Sequence, residues 1–274
     1  MMINAASRAA IAELRDRLSA ALPGLSADGH RELAAELYSV ARLLTAQPRL
    51  RRTLGDPSTD ASNRSELAGT LFTGKLDQVA LGLVTDAVGL RWSSPWDLAD
   101  SLQILADETL LSAAEQDGNL DTVEDELFRF ERILAGAGEL VSALDESGVP
   151  APRRQELLDS LLGGKVQPIT AELLAHALAS DRKRSLLLAI DDLLEASAAR
   201  RQRSVARVIS ATELTDEQTQ RLATSLTGLY GRPISVRSAV DERVRGGLVV
   251  RVGDEVIDGT VATRLAQARA AFAG

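Results

Sequence analysis

A chain of 274 residues, 45% of them apolar, can bury a core and has room for two or three small domains, which excludes bulk disorder. It has no cysteine and only His30 and His176, so disulfides, thiol chemistry and the usual zinc or haem ligand sets are excluded. The net charge is −8, and its excess acidity lies between residues 106 and 200, where 19 acidic groups face 9 basic ones. A duplex-binding face would need the opposite sign there.

No stretch approaches the roughly 20 apolar residues of a membrane span, and Arg8, Glu13, Arg15 and Asp16 interrupt any signal-peptide core at the N-terminus. The plain expectation is a soluble cytoplasmic protein. Arginine outnumbers lysine 28 to 3, the bias of a GC-rich bacterial genome rather than of a nucleic-acid binder.

In chain order, Ile11, Leu14, Leu18 and Leu22 recur at helical spacing behind Ser7, a candidate cap. Leu33, Leu37, Val40, Ala41 and Leu44 mark the next helix, which Pro48 stops. The chain then repeats itself. A shift of 90 residues sets Glu36-Leu37 on Glu126-Leu127, Arg42 on Arg132, Leu54 on Leu144, Arg64 on Arg154 and Gly74-Lys75 on Gly164-Lys165. Between residues 36 and 87, fifteen of fifty-two pairs are identical without a gap, so two copies of one helical module are expected. In the second copy Val123, Leu127, Phe130, Ile133 and Leu134 form the matching stripe. Pro150 and Pro152 open a short helix that Gly163-Gly164 closes, Thr170 is a candidate cap, and Ser185 starts a last long helix through Leu186, Leu187, Ile190, Leu193 and Leu194. Each copy reads as a bundle of roughly six short antiparallel helices.

Past the basic run Arg200-Arg201-Gln202-Arg203, read as a solvated helix end, the pattern alternates. Val205 to Ser210 reads as a strand, Thr215 to Gln218 as a capping box, and Leu222, Leu226 and Leu229 as the helix it opens, ending at Gly231. Ile234, Val236 and Val240, then Leu248 to Val252, then Val256 to Gly259 read as further strands, with Gly253-Asp254 as a turn and a last helix through Val261, Leu265 and Ala268. The expected fold is mainly α: two similar six-helix bundles, over residues 1–104 and 105–203, followed by a small α+β domain over 204–274.

Gly74-Lys75 and Gly163-Gly164-Lys165 lack the spacing of a phosphate loop and follow helices, so helix termination is favoured. Asp254, Glu255 and Asp258 invite a metal, yet the first two suit a hairpin turn and Asp258 before Gly259 suits an Asx turn. His176 reads as a surface residue, and Trp92 and Trp96 as core anchors or exposed contacts, with the core favoured. No catalytic constellation, metal or cofactor is implied.

The run from Val240 to Val261, continued by Arg264-Leu265, resembles the signature of the delta/oligomycin-sensitivity-conferring family of ATP synthase subunits. Asp241, Gly246, Gly247, Gly253, Asp254, Ile257, Asp258, Gly259, Arg264 and Leu265 hold the signature places, and Thr260 stands where serine is commoner. The resemblance runs from about Gln103 to the end, and the duplicated helical copy before it matches a long, actinobacterial-type form.

The resemblance implies a non-catalytic stator subunit at the cytoplasmic face of the membrane. Its helical domain would bind the N-terminal helices of the alpha subunits and its C-terminal domain the b-type stalk, resisting rotor torque during ATP synthesis. The groove between the first and last helices of the second copy, lined by Leu110, Ala113, Ala114, Leu187 and Ile190, is the implied alpha-binding face. Glycines 246, 247 and 253 and Asp254 are expected to serve folding and b attachment rather than turnover. A free-standing helical scaffold built from the same module is the alternative.

Overall fold

The computed structural model describes residues 5–145, 149–179, 185–203, 205–231, 234–241, 244, 246–252 and 255–261. The chain divides into two compact units, Met1–Ala196 and Ser197–Gly274. It is mainly helical, with one small sheet near the C-terminus.

The helices of the first unit are α1 (Ala5–Ala21), α2 (Ala27–Ala46), α3 (Pro48–Gly55), α4 (Ala61–Phe72), α5 (Gln78–Gly89), α6 (Pro95–Gln116), α7 (Leu120–Ala135), α8 (Gly138–Asp145), α9 (Ala151–Leu162), α10 (Pro168–Ala179) and α11 (Leu186–Arg203), which continues into the second unit. Their boundaries carry the repeat. Both ends of α3, α4 and α5 recur 90 residues later in α8, α9 and α10. Helix α6 begins 90 residues after α1 and 91 before α11, so it closes the first copy and opens the second.

Local chemistry sets the starts and stops. Ser26, Asp60, Asp77 and Ser94 accept N–H bonds at the N-termini of α2, α4, α5 and α6. Gly74 and Gly164, at φ +76° and +68°, end α4 and α9, and the Lys75 and Lys165 amides turn back onto the carbonyls of Phe72 and Leu162. These are helix stops, not phosphate loops.

One apolar core runs through both copies, from Ala10 to Leu193. Its most extensive helix–helix contact among the described residues is between α2 and α6. The pair is antiparallel: Arg31 reaches Asp117, the Gln116 amide donates to the Leu25 carbonyl, and Tyr38 meets Asp107 at mid-helix. Ala34 and Ala41 on α2, and Ala99, Ala106 and Ala113 on α6, recur every seven residues and are at most 5% exposed. Small side chains at heptad spacing let two backbones approach more closely than leucine would.

In the second unit, β1 (Val205–Ser210), β2 (Ser235–Val240), β3 (Leu248–Val252) and β4 (Glu255–Asp258) form a sheet in the order β2-β1-β3-β4. β1 and β2 are parallel, joined through α12 (Asp216–Tyr230), and β3 and β4 extend the sheet antiparallel. The predicted capping box is present, Thr215 and Gln218 exchanging side-chain and backbone bonds. Leu222, Leu226 and Tyr230 of α12 pack over Ala206, Val208, Val250 and Val252.

Several expectations need correction. Ser7 is not a cap: α1 has begun by Ala5, and the buried Ser7 hydroxyl donates to Asp97 and accepts the Ser93 amide. Thr170 lies inside α10, which starts at Pro168, and its hydroxyl bonds Glu126. Ile133 and Leu229, 57% and 68% exposed, sit on the flanks of their helices rather than on the core stripe. The turn at Gly253-Asp254 and the last helix beyond Val261 lie outside the described residues.

Candidate interaction surfaces

The two helical copies meet at Tyr38, and two residues of the second copy hold it. Its ring stacks on His176 of α10, with centroids 3.6 Å apart and planes 14° apart. Its hydroxyl donates to the carboxylate of Asp107 on α6. Burial dominates the electrostatics. It raises the Asp107 carboxyl to about 7, aided by Glu108 and Asp192 and opposed by the Tyr38 hydrogen bond. It lowers the His176 imidazole to about 4, with Arg42 adding to the effect. Burial also pushes the Tyr38 phenol well up, with Asp107 adding to it. His176 is therefore half-buried in the joint, not a free surface residue. In the first copy the positions equivalent to Asp107 and His176 are Arg17 and Asp86, and they form a solvent-accessible ion pair at 2.5 Å.

A second repeated device ties the helices within each copy. The Glu36 carboxylate accepts the Asp77 amide at 3.1 Å, ahead of α5, and the Glu126 carboxylate accepts the Gln167 amide at 2.9 Å, ahead of α10. An anionic side chain at a helix N-terminus is stabilised by the unpaired N–H groups there. Both glutamates stand out in the sequence repeat, but that role is visible only in three dimensions.

Of the residues expected to line the alpha-binding groove, Leu110, Ala113, Ala114 and Ile190 are at most 2% exposed. Leu187 is half-buried, and its neighbour Leu188 on α11 is 53% exposed. Helix α6 packs against both α2 and α10, which accounts for the burial of its apolar residues. Trp92 is buried and donates its indole N–H to the Ala87 carbonyl, whereas Trp96 is half-buried with the Arg51 guanidinium 3.4 Å above its ring.

The C-terminal signature builds a joint between the start of β3 and the end of β4. Gly246 and Gly247 adopt φ +73° and +83°. A Cβ on Gly247 would stand 2.4 Å from the Gly259 carbonyl oxygen. The Gly259 amide donates to Leu248, the Val261 amide to Gly246, and the Asp258 carboxylate accepts the Thr260 amide at 2.9 Å, the expected Asx turn. Asp241 anchors the preceding loop by donating its amide to Ser210. Ile257 is 36% exposed. Gly253, Asp254, Arg264 and Leu265 lie outside the described residues.

The described residues thus build packed helical repeats followed by a small sheet that α12 covers on one face. The family model for the ATP synthase delta (OSCP) subunit matches residues 108–272. The ATP synthase subunit delta of Streptomyces griseus is 46% identical over 99% of this chain and 100% of its own length. Those of Rhodococcus opacus, 44% identical over 97% of each chain, and Salinispora arenicola, 42% identical over 94% of each, are similar throughout. A chain in the solved mitochondrial ATP synthase hexamer of Toxoplasma gondii is 21% identical, with a TM-score of 0.29 over 61% of this chain and 95% of that one.

The chain belongs to the ATP synthase delta (OSCP) subunit family. It is a structural subunit rather than a catalytic one. The family match begins inside α6, yet the relatives are similar over the N-terminal copy as well, so that copy is a shared feature of these long chains.

Proposed function

We propose that this chain is a peripheral-stalk subunit that links the catalytic head of a proton-translocating ATP synthase to the membrane-anchored b stalk and resists rotor torque. The observation that carries this reading is the reach of the family match, which spans residues 108–272 and so includes both the second helical copy and the α+β unit. Its domains are residues 1–104 and 105–203, the two helical copies, and 204–274. The second helical copy would take the N-terminal helices of the alpha subunits, with Leu187 accessible on α11 and with Leu110, Ala113, Ala114 and Ile190 shaping that face from beneath. The α+β unit would hold the b-type subunit, and its signature residues would keep that unit folded. No described helix is long and apolar enough to cross a membrane; by the family reading the subunit would sit peripherally, on the cytoplasmic face. The N-terminal copy would widen the footprint of the stalk.

The test is capture of the tagged chain from detergent-solubilised membranes, with partners identified by mass spectrometry. Recovery of alpha, beta, gamma and b-type subunits is the expected result. Absence of all four, with the tag shown to be accessible, would sink the reading.

A further inference from the structure

Helix α12 covers one face of the C-terminal sheet, and no other described helix of that unit covers the opposite face. Side chains alternate along a strand, so the residues between Ala206, Val208, Val250 and Val252 turn away from α12. Arg207, Ile209 and Arg251 are exposed on that outer face. The register then sets like on like. Arg207 lies directly opposite Arg237 on β2 and directly opposite Arg251 on β3. Three arginine positions thus form a row across three adjacent strands, about 4.8 Å apart. Like charges placed directly opposite are unfavourable. Neither Arg207 nor Arg251 has an ion-pair partner among the described residues. Beside this row runs an apolar one, Ala239, Ile209 and Val249, which ends at β4 in Asp258.

We infer that this outer face docks an amphipathic helix whose rim carries carboxylates. The inference rests on the stator reading above, and under that reading the helix is the end of the b-type stalk subunit. Burying an arginine row is favourable only against counter-charges. Helix residues three and four apart lie about 5–6 Å from one another, close to the strand spacing. One helix can therefore set successive carboxylates over the arginines while its adjacent apolar residues cover Ala239, Ile209 and Val249. A polynucleotide would satisfy the arginines but leave the apolar row against its phosphates, and the chain as a whole carries −8.

The test uses the full tagged chain carrying Arg207→Glu with Arg251→Glu, captured from solubilised membranes, with alpha-type and b-type subunits quantified. Recovery of b is expected to fall at least about tenfold while recovery of alpha holds. Arg207→Gln with Arg251→Gln guards against a folding artefact. Relief of repulsion keeps its melting temperature at or above wild type, and b recovery still falls. Wild-type b recovery with both pairs of substitutions overturns the inference and leaves the stator reading standing. A wild-type chain that recovers neither alpha nor b overturns the stator reading itself. Equal b capture by wild type and variants once residues 262–274 are deleted would assign the face to the chain's own terminal segment. Arginine-dependent retention of polynucleotide in place of b would assign it to nucleic acid. Either result overturns the inference.

Discussion

Tyr38 and Phe128 occupy the same place in the two helical copies, yet Tyr38 is 3% exposed and Phe128 is 48% exposed. The neighbouring positions diverge with them. Ala34 and Ala41, buried in the α2–α6 contact, correspond to Glu124 and Glu131 on α7. The first copy is therefore built to be covered by the second, whereas the corresponding face of the second carries Glu124 and Glu131 around an exposed Phe128.

Tyr38→Ala should cost about 3–5 kcal/mol, because a large buried ring is removed and Asp107 loses its donor. Phe128→Ala should change stability by no more than about 0.5 kcal/mol. Chemical denaturation followed by the fluorescence of Trp92 and Trp96, both in the helical unit, measures each. Equal losses in the two variants would contradict the asymmetry of the joint.

The same joint predicts a pH dependence. The folded Asp107 carboxyl sits near 7, above its ordinary 3.8, so the folded state binds more protons than the unfolded one between about pH 4 and 7. Its contribution is full below about pH 4 and is lost as pH rises to about 7. His176 acts in the opposite sense. Its folded value, near 4, lies below the usual 6.5, so its contribution is present above pH 6.5 and is lost as pH falls towards 4. The groups facing the pair are Tyr38 and Arg42 on α2, Glu108 on α6, Glu172 on α10 and Asp192 on α11. Asp107→Asn is neutral at every pH, so its melting temperature relative to wild type should climb between pH 4 and 8. His176→Phe keeps a ring on Tyr38, and its advantage should instead grow as pH falls from 7 to 4. A pH-independent offset in both variants would contradict the assignment.

Arg64 is 4% exposed and donates to five carbonyls, those of Asp56, Thr59, Val88, Gly89 and Leu90. It thereby holds the start of α4 against the end of α5. A planar guanidinium can serve several acceptors at fixed angles, whereas an ammonium cannot. Arg64→Lys should lower stability by about 2–3 kcal/mol despite the retained charge. An unchanged denaturation midpoint would refute this account.

The sequence repeat exposed the architecture because its shared residues are structural parts: Glu36 and Glu126 hold the next helix, Gly74 and Gly164 stop one, and Arg64 and Arg154 bond backbone carbonyls. The joint between copies was not legible, since Tyr38 and His176 come together across more than a hundred residues and nothing local marks them as partners. Ser7 and Thr170 misled for a related reason. Their hydroxyls serve Asp97 and Glu126, distant carboxylates that a local capping rule cannot see. The groove residues on α6 rest on the family resemblance, and apolar spacing alone does not separate a residue that faces a partner from one that the chain's own helices cover, as α2 and α10 cover Leu110, Ala113 and Ala114.

Gly247 provides the sharpest test of the C-terminal signature. Two separate costs meet there. The backbone at φ +83° disfavours any side chain by about 1–2 kcal/mol, and a methyl group would stand 2.4 Å from the Gly259 carbonyl and 2.9 Å from the Thr260 Cα, both rigid backbone atoms. Overpacking of that kind adds about 1–3 kcal/mol. Gly74 shares the backbone requirement, at φ +76°, but has nothing within 4 Å of an added Cβ. Gly74→Ala should therefore cost only about 1–2 kcal/mol, and Gly247→Ala about 2–5 kcal/mol. Because both tryptophans lie in the helical unit, tryptophan fluorescence should report the Gly74 variant and miss the Gly247 variant. Hydrogen exchange at the β1 and β3 amides should do the reverse, losing protection in Gly247→Ala alone. Protected β1 and β3 amides in that variant would mean that the signature glycines are not what holds β3 against the end of β4.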